Sequence, residues 1–475
     1  MKNILSIILS CFLLIGIGSL FSSCNDETFS TDSSHLLAFS QDTLSFDTVF
    51  TSIGSATAQI KVYNPNKKAL KISSIVLANA ANSGFKVNVD GEKGTQFSDV
   101  EIQGEDSMLI FVEVKINPLN SDNPILMKDS LVFTTNGVQQ DVKLLAYGQD
   151  VLILKGKTID KDTTFTSQRP ILIYDSLRVS PGVRLQCEAG TKLYFHDKAS
   201  LLVHGTIDAH GKLGEPVLFR GDRLDNMFDN LPYNRVPGQW GGVHLYSESY
   251  QNRFDYADIH SGEYGIRCDS SAVDREKLQL TNSILHNAEG DNLEMTSCKA
   301  TVANCQITNA GKNCVNILGG DYTFTHCTLA NFFSWGIRYG VALSYANYQG
   351  KVDYPLKTSF YNCLITGSSS DEIGGSKSDK GTIPFDYYFS NSLLNTKEEA
   401  ASERLVNITW EKEKEFLYIG KEDYRYDFRP DSLCKAKNIG DLEVARNYPY
   451  DLNGRSRLQD GKPDAGCYEW MPGDK

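Results

Sequence analysis

The sequence predicts an all-β chain, an antiparallel sandwich followed by a right-handed, single-stranded parallel β-helix. Three observations carry this. Between about 280 and 340, residues of like character recur 22 positions apart, and a period in the low twenties marks a solenoid. From 36 to 150, strand-like runs alternate apolar and polar residues between turn signals. Thr, Asn, Ser, Val and Ile are plentiful and long runs of helix formers are scarce.

At 475 residues the chain exceeds one ordinary core and predicts two or three units. A formal charge of −12, with no basic stripe interleaved with aromatics, argues against a nucleic-acid backbone or an anionic membrane surface as partner.

The first element is a targeting segment. Lys2 begins it, an apolar stretch runs from Ile4 to Leu20, and Ser22-Ser23-Cys24 closes it with small residues before a cysteine. Cys24 therefore resembles the lipidated first residue of a bacterial lipoprotein. An uncleaved anchor is the alternative, but the run is short for a span and polar sequence follows at once. Asn25-Asp26-Glu27 resembles the acidic surface-export signal of Bacteroidota lipoproteins. That resemblance implies an outer-membrane, lipid-anchored protein at the cell surface, touching the membrane through its anchor alone. Residues 25–35 are expected to be a tether.

The second element, 36–150, contains runs such as Ala58-Gln59-Ile60-Lys61-Val62-Tyr63 and Leu109-Ile110-Phe111-Val112-Glu113-Val114, with turns at Asn64-Pro65-Asn66, Asp90-Gly91 and Asn136-Gly137. About seven antiparallel strands are expected. Phe46-Asp47-Thr48-Val49, Val62-Tyr63-Asn64-Pro65, the run from Val112 to Pro118 and Ala146-Tyr147-Gly148 resemble the immunoglobulin-like ASPM/SPD-2/hydin superfamily, whose domains serve as spacers or docking modules.

The third element, 151–400, is the repeat. Leu280, Val302 and Phe324 form one column; Leu285, Ile307 and Leu329 another; Leu293, Val315 and Ile337 a third; Met295, Ile317 and Tyr339 a fourth. Ser283, Cys305 and Cys327 make a small column, and Asn282, Asn304, His326 and Asn287, Asn309, Asn331 make polar ones. Coils stacked in register about 4.8 Å apart place like over like, and Asn suits the bends because it tolerates left-handed backbone. Right-handedness follows from the crossover rule for parallel strands. Phe360, Asn362, Cys363, Ile365 and Ile373 continue the columns 36 residues on, so fourteen extra residues are expected as one outward loop between Ile337 and Phe360. Val203-x-Gly205, Ala209-x-Gly211 and Gln239-Trp240-Gly241-Gly242 resemble right-handed, pectate-lyase-like β-helix proteins of Bacteroidota. In the last segment, 401–475, read as terminal coils and a cap, Asp451-Leu452-Asn453-Gly454-Arg455 and Pro463-Asp464-Ala465-Gly466-Cys467 resemble the end of the choice-of-anchor Q family, with Cys467 where Ala is usual. These resemblances imply a fold and no activity, because the fold hosts enzymes and inert scaffolds alike.

Nine cysteines remain besides Cys11 and Cys24. None has zinc-ligand spacing, so neither metal nor cofactor is expected, and the Cys305–Cys327–Cys363 column reads either as core packing or as a redox ladder. Arg267, Glu294, Asn316 and Arg338 form an outward row, either an anionic-sugar groove or an exposed ion-pair ladder. Two aromatic excursions are candidate binding surfaces: 222–239 with Tyr233 and Arg235, ending at Trp240, and the insertion with Tyr345, Tyr348 and Tyr354, just after Trp335. Exposed aromatics stack on sugar rings or anchor a protein; the alternative is that they pack against the solenoid. The expected role is a non-enzymatic envelope protein whose loops contact a glycan or protein. The competing reading, a polysaccharide lyase or glycoside hydrolase, requires several carboxylates beside an Arg or Lys along one groove; no catalytic residue is identifiable from sequence.

Overall fold

The computed structural model describes residues 28–228, 230–412 and 416–473. Cys24 and the apolar stretch before it lie outside the described residues. The chain divides between Gln149 and Asp150 into two compact units.

In the first unit two five-stranded sheets face each other across an apolar core. One contains Ala38–Phe39, Ala58–Tyr63, Ser107–Val114, Phe85–Val89 and Glu92–Gly94; the other Thr43–Phe50, Val138–Gln149, Ile125–Thr135, Leu70–Leu77 and Gln96–Ile102. Alternation puts Ile60, Val62, Ile110, Val112, Leu131, Phe133, Val142 and Leu144 inside. The strands number ten where about seven were expected, because Gln96–Ile102 and several short edge strands carry weak apolar patterns. One pair departs from the antiparallel expectation: Val138–Gln149 lies parallel to Thr43–Phe50, the register slipping at Ala146/Tyr147. Residues 28–35, expected as a tether, are held on this unit, with the Ser30 N–H donating to Ala69 O at 2.9 Å and Asn136 Nδ2 to Asp32 O at 2.9 Å.

The second unit is a parallel β-helix of three ladders. The first runs from Thr163–Phe165 through Leu278–Thr281, Lys299–Ala303 and Gly320–Thr325 to Leu405–Val406, ten strands in all. The second includes Ala257–His260, Ile284–Ala288, Gln306–Ala310 and Thr328–Asn331. The third includes Ile266–Cys268, Leu293–Thr296, Val315–Leu318 and Leu343–Ala346. The predicted stacking is observed: Leu280, Val302, Phe324 and Phe360 are successive partners in register, as are Leu285, Ile307, Leu329 and Ile365. The rings of Phe324 and Phe360 stack at 4.7 Å.

Two columns need correction. Ile337 and Tyr339 are largely exposed, and Leu343 and Tyr345 take the places assigned to them, over Val315 and Ile317. Val315 to Leu343 spans 28 residues and Phe324 to Phe360 spans 36. The fourteen extra residues are therefore two excursions, six before Leu343 and eight after Ala346.

The polar column supplies the bend between the first and second ladders. Asn282, Asn304, His326, Asn362, Asn391 and Asn407 all have φ between 48° and 55°, the left-handed region that Asn enters readily. At five of these six bends the following residue closes the turn onto the carbonyl two residues back: Ser283 Oγ to Thr281 O at 2.6 Å, Cys305 Sγ to Ala303 O at 3.1 Å, Cys327 Sγ to Thr325 O at 3.4 Å, Cys363 Sγ to Tyr361 O at 3.3 Å and Ser392 Oγ to Ser390 O at 2.8 Å. Cysteine thus stands in for serine as a small buried donor. All nine described cysteines are buried and unbridged.

Beyond Thr409–Trp410 the chain leaves the coils and returns along this flank, so most of the segment expected as a cap is a lateral cover. Phe416, Phe428, Leu452, Ala465 and Tyr468 pack on Phe332, Leu364 and Leu393. Arg457 Nη2 donates to Asn304 Oδ1 at 2.7 Å and the Cys467 N–H to Thr328 Oγ1 at 3.0 Å. Asn362 exchanges two hydrogen bonds with the Asp441 backbone. Gly466, at φ 102°, comes close enough that a Cβ would lie 2.7 Å from Thr328 Oγ1, so only glycine fits this approach.

Candidate functional site

The returning chain encloses a cleft of about 540 Å³ over the outer face of the second ladder. Its floor is Asp258, His260, His286, Gln306, Thr308 and Asn309. Asp258, His260, His286, Gln306 and Thr308 point outward because Ile259, Leu285 and Ile307, next to them on the strands, point into the core, whereas Asn309 sits at a bend with φ 57°. One wall is the antiparallel hairpin Phe416–Gly420 with Arg425–Pro430, contributing Arg425, Tyr426 and Arg429; the other is Asn234 and Arg235. Tyr468 closes the cleft, its hydroxyl donating to Gln306 Oε1 at 2.8 Å.

Two histidines and an aspartate meet at one end. Asp258 Oδ1 lies 2.8 Å from His260 Nδ1 and 3.5 Å from His286 Nε2, and the two rings stack at 4.6 Å. The side chains occupy this corner because His260 and His286 are register partners on adjacent coils. Burial alone would raise the Asp258 carboxyl, but the two imidazoles beside it hold it well below the usual carboxylate range. Burial pushes His260 down to about 4 despite the pull of Asp258. At neutral pH the ring is uncharged. Donating Nδ1–H to Asp258 leaves Nε2 as a lone pair, and among the described residues the buried His260 Nε2 has no hydrogen-bond partner.

A second cleft, of about 370 Å³, lies over the third ladder and is lined by Glu263, Tyr264, Arg267, Asp291, Glu294, Lys312, Asn313 and Asn316. Arg267 Nε donates to Glu294 Oε2 at 2.8 Å, and its guanidinium lies 4.3 Å from the Tyr264 ring centre. Asp291 accepts the N–H and the side-chain amide of Asn313, both at 2.8 Å. Burial raises its pKa against those hydrogen bonds.

The residues expected to bind are scattered. Trp240 is fully buried, stacked on Phe195 at 4.4 Å with Nε1–H donating to His260 O at 2.8 Å. Tyr345 is core, stacked on Phe385 at 5.6 Å. Both are among the candidate binding aromatics and take the alternative of packing into the solenoid, because a sequence does not distinguish an aromatic that fills a coil from one that decorates it. Arg338 is absent from the outward row, where Ser344 follows Asn316. Its side chain is 8% exposed and its two terminal nitrogens each donate at 2.8 Å to the fully buried Glu372. Glu372 also accepts from the Ser369 and Ala342 N–H groups. Arg267 keeps its predicted place and pairs with Glu294. Tyr233 lies under the Arg223 guanidinium at 4.0 Å. Arg235 lines the first cleft and donates to Asp423 O at 3.1 Å, and Trp335 stacks on Tyr424 at 3.9 Å, so both brace the hairpin. Tyr348 borders a shallow hollow of about 180 Å³ on the third ladder, and Tyr354 is half-buried with its N–H on Asn347 O.

Sequence reasoning missed the Asp258, His260 and His286 group. The coil joining them is 26 residues long, so a search at 22 stepped past it, although His286 and Thr308 are one regular period apart.

No known protein family and no curated protein matches this chain. Among solved structures, a family 123 glycoside hydrolase from Clostridium perfringens aligns at 10% identity and TM-score 0.16, over 24% of this chain and 25% of its own. A protein of unknown function from Porphyromonas gingivalis W83 aligns at 12% identity and TM-score 0.19, over 26% of this chain and 60% of its own. The chain thus spans a quarter of the length of the first and three-fifths of the second.

Proposed function

We propose that this chain is a lipid-anchored envelope protein, held through Cys24 at the outer membrane and facing the cell surface, whose β-helix binds an oligosaccharide in the cleft over the second ladder. The supporting observation is that cleft's lining. Amides and hydroxyls from Asn287, Gln306, Thr308 and Asn309 sit opposite Tyr426, Arg425 and Arg429. Sugar recognition needs this combination of hydroxyl-reading polar groups and flat faces.

A second reading, a glycoside hydrolase, draws on the other cleft. Such enzymes need one carboxyl kept protonated and a second kept charged. Asp291, raised by burial, suits the acid, and Glu294, held by Arg267, suits the carboxylate.

One experiment separates them: a glycan-array screen with product analysis, using protein lacking residues 1–24. Retention of an unaltered glycan, weakened about tenfold (about 1.4 kcal/mol) by Arg425→Ala, is the expected result. Retention indifferent to Arg425→Ala removes the first cleft from the reading. Shortened products that vanish in Asp291→Asn transfer the function to the second.

A further inference from the structure

We infer that Asp258, His260 and His286 form a binding site for a divalent transition metal of the zinc class, at the floor of the first cleft. The inference stands whether or not that cleft takes a glycan.

The three residues each offer one ligand atom, and these atoms all lie within 4.8 Å of one another. Ligands around a tetrahedral zinc at 2.0–2.2 Å sit about 3.3 Å apart. The observed separations of 2.8 and 3.5 Å from Asp258 Oδ1 bracket that value. Small rotations of the side chains therefore suffice to enclose an ion.

His260 is 6% exposed, and its Nδ1 faces Asp258 rather than solvent, so the ligand atoms meet at a buried corner of the cleft floor. Arg220 follows Phe219, the register partner of Ile259 one coil earlier, and its guanidinium donates to the carbonyls of Gly221 and Arg223. Two imidazoles and one carboxylate select zinc, cobalt or nickel over calcium and magnesium, which prefer all-oxygen shells. Three protein ligands leave the fourth position for water or a hydroxyl of whatever occupies the cleft.

The test uses untagged protein lacking residues 1–24, stripped with chelator and titrated with zinc chloride, cobalt chloride and calcium chloride by calorimetry. One zinc per chain is expected, cobalt giving the visible absorption of a four-coordinate ion, and calcium giving no heat. His286→Asn, at a quarter-exposed position that tolerates a polar side chain, should lower zinc affinity at least a hundredfold while the unfolding transition of the metal-free protein stays within a few degrees. Asp258→Asn, read by the same titration, checks the conclusion if His286→Asn fails to fold. Absence of zinc binding overturns the site, as does zinc binding that a folded variant retains or a calcium affinity equal to that for zinc. Because no glycan is present, these outcomes leave the oligosaccharide reading untouched.

Discussion

The coils from Leu278 to Asn331 and those from Phe332 to Ser376 extend the same ladders, yet they are held together differently. In the first stretch every coil is 22 residues and the work is shared among repeated columns: apolar residues inward, Asn at the bend, Ser or Cys closing it. In the second stretch two excursions break the count, and one buried ion pair, Arg338 with Glu372, ties the first excursion to the next coil. Regularity spreads stability over many small, interchangeable contacts. Irregularity concentrates it in a few that have no substitute.

The sharpest test of this contrast removes the concentrated contact. Glu372→Ala leaves the Arg338 guanidinium buried without its counter-charge, and chemical denaturation should show a loss of about 3–5 kcal/mol. A loss below about 1 kcal/mol would erase the distinction between the two stretches. A smaller effect is expected at a repeated position. Asn304→Ala places at φ 55° a residue without the short polar side chain that eases left-handed backbone, and deletes hydrogen bonds to Asn282 and Arg457, a cost of about 2 kcal/mol, of which Asn304→Gly should recover about half by relieving the backbone. Equal losses in the two variants would mean that the left-handed bend carries no strain.

The smallest effect is one of pH and concerns the cover over the regular coils. Burial raises Glu469 to about 7, against the downward pull of Arg457. The folded chain therefore binds this proton more tightly than the unfolded one, whose carboxyl titrates near 4.5. The resulting stabilisation is complete below about 4.5 and disappears as pH rises through about 7. Amide exchange in residues 451–469, corrected for intrinsic rates, should be faster at pH 8 than at pH 5.5. No change would indicate that Arg457 keeps Glu469 charged throughout.

The regular stretch was legible from sequence because stacking makes chemistry repeat: Leu280, Val302 and Phe324 are alike since they share one environment. The interrupted stretch was not. Ile337 and Tyr339 are apolar and fall on the count by coincidence, and nothing local says that Leu343 and Tyr345 displace them. Arg338 likewise keeps the count but leaves the outward row to Ser344, so its pairing with Glu372 was not legible. The candidate clefts were only partly readable. Arg267 and Arg235 came from sequence, whereas the wall around Tyr426 exists only because the chain folds back, and no pattern in residues 416–430 announces what they will cover.

That return path sets an order on assembly. A stack of coils closes by nearest-neighbour contacts, each turn seated as soon as it is made. Here Arg457 reaches Asn304, 153 positions earlier in the chain, and Cys467 reaches Thr328, 139 positions earlier. The middle turns therefore wait, their bends open to water, until nearly the whole chain is present, and a structure that grows locally acquires one late, long-range step that seals it.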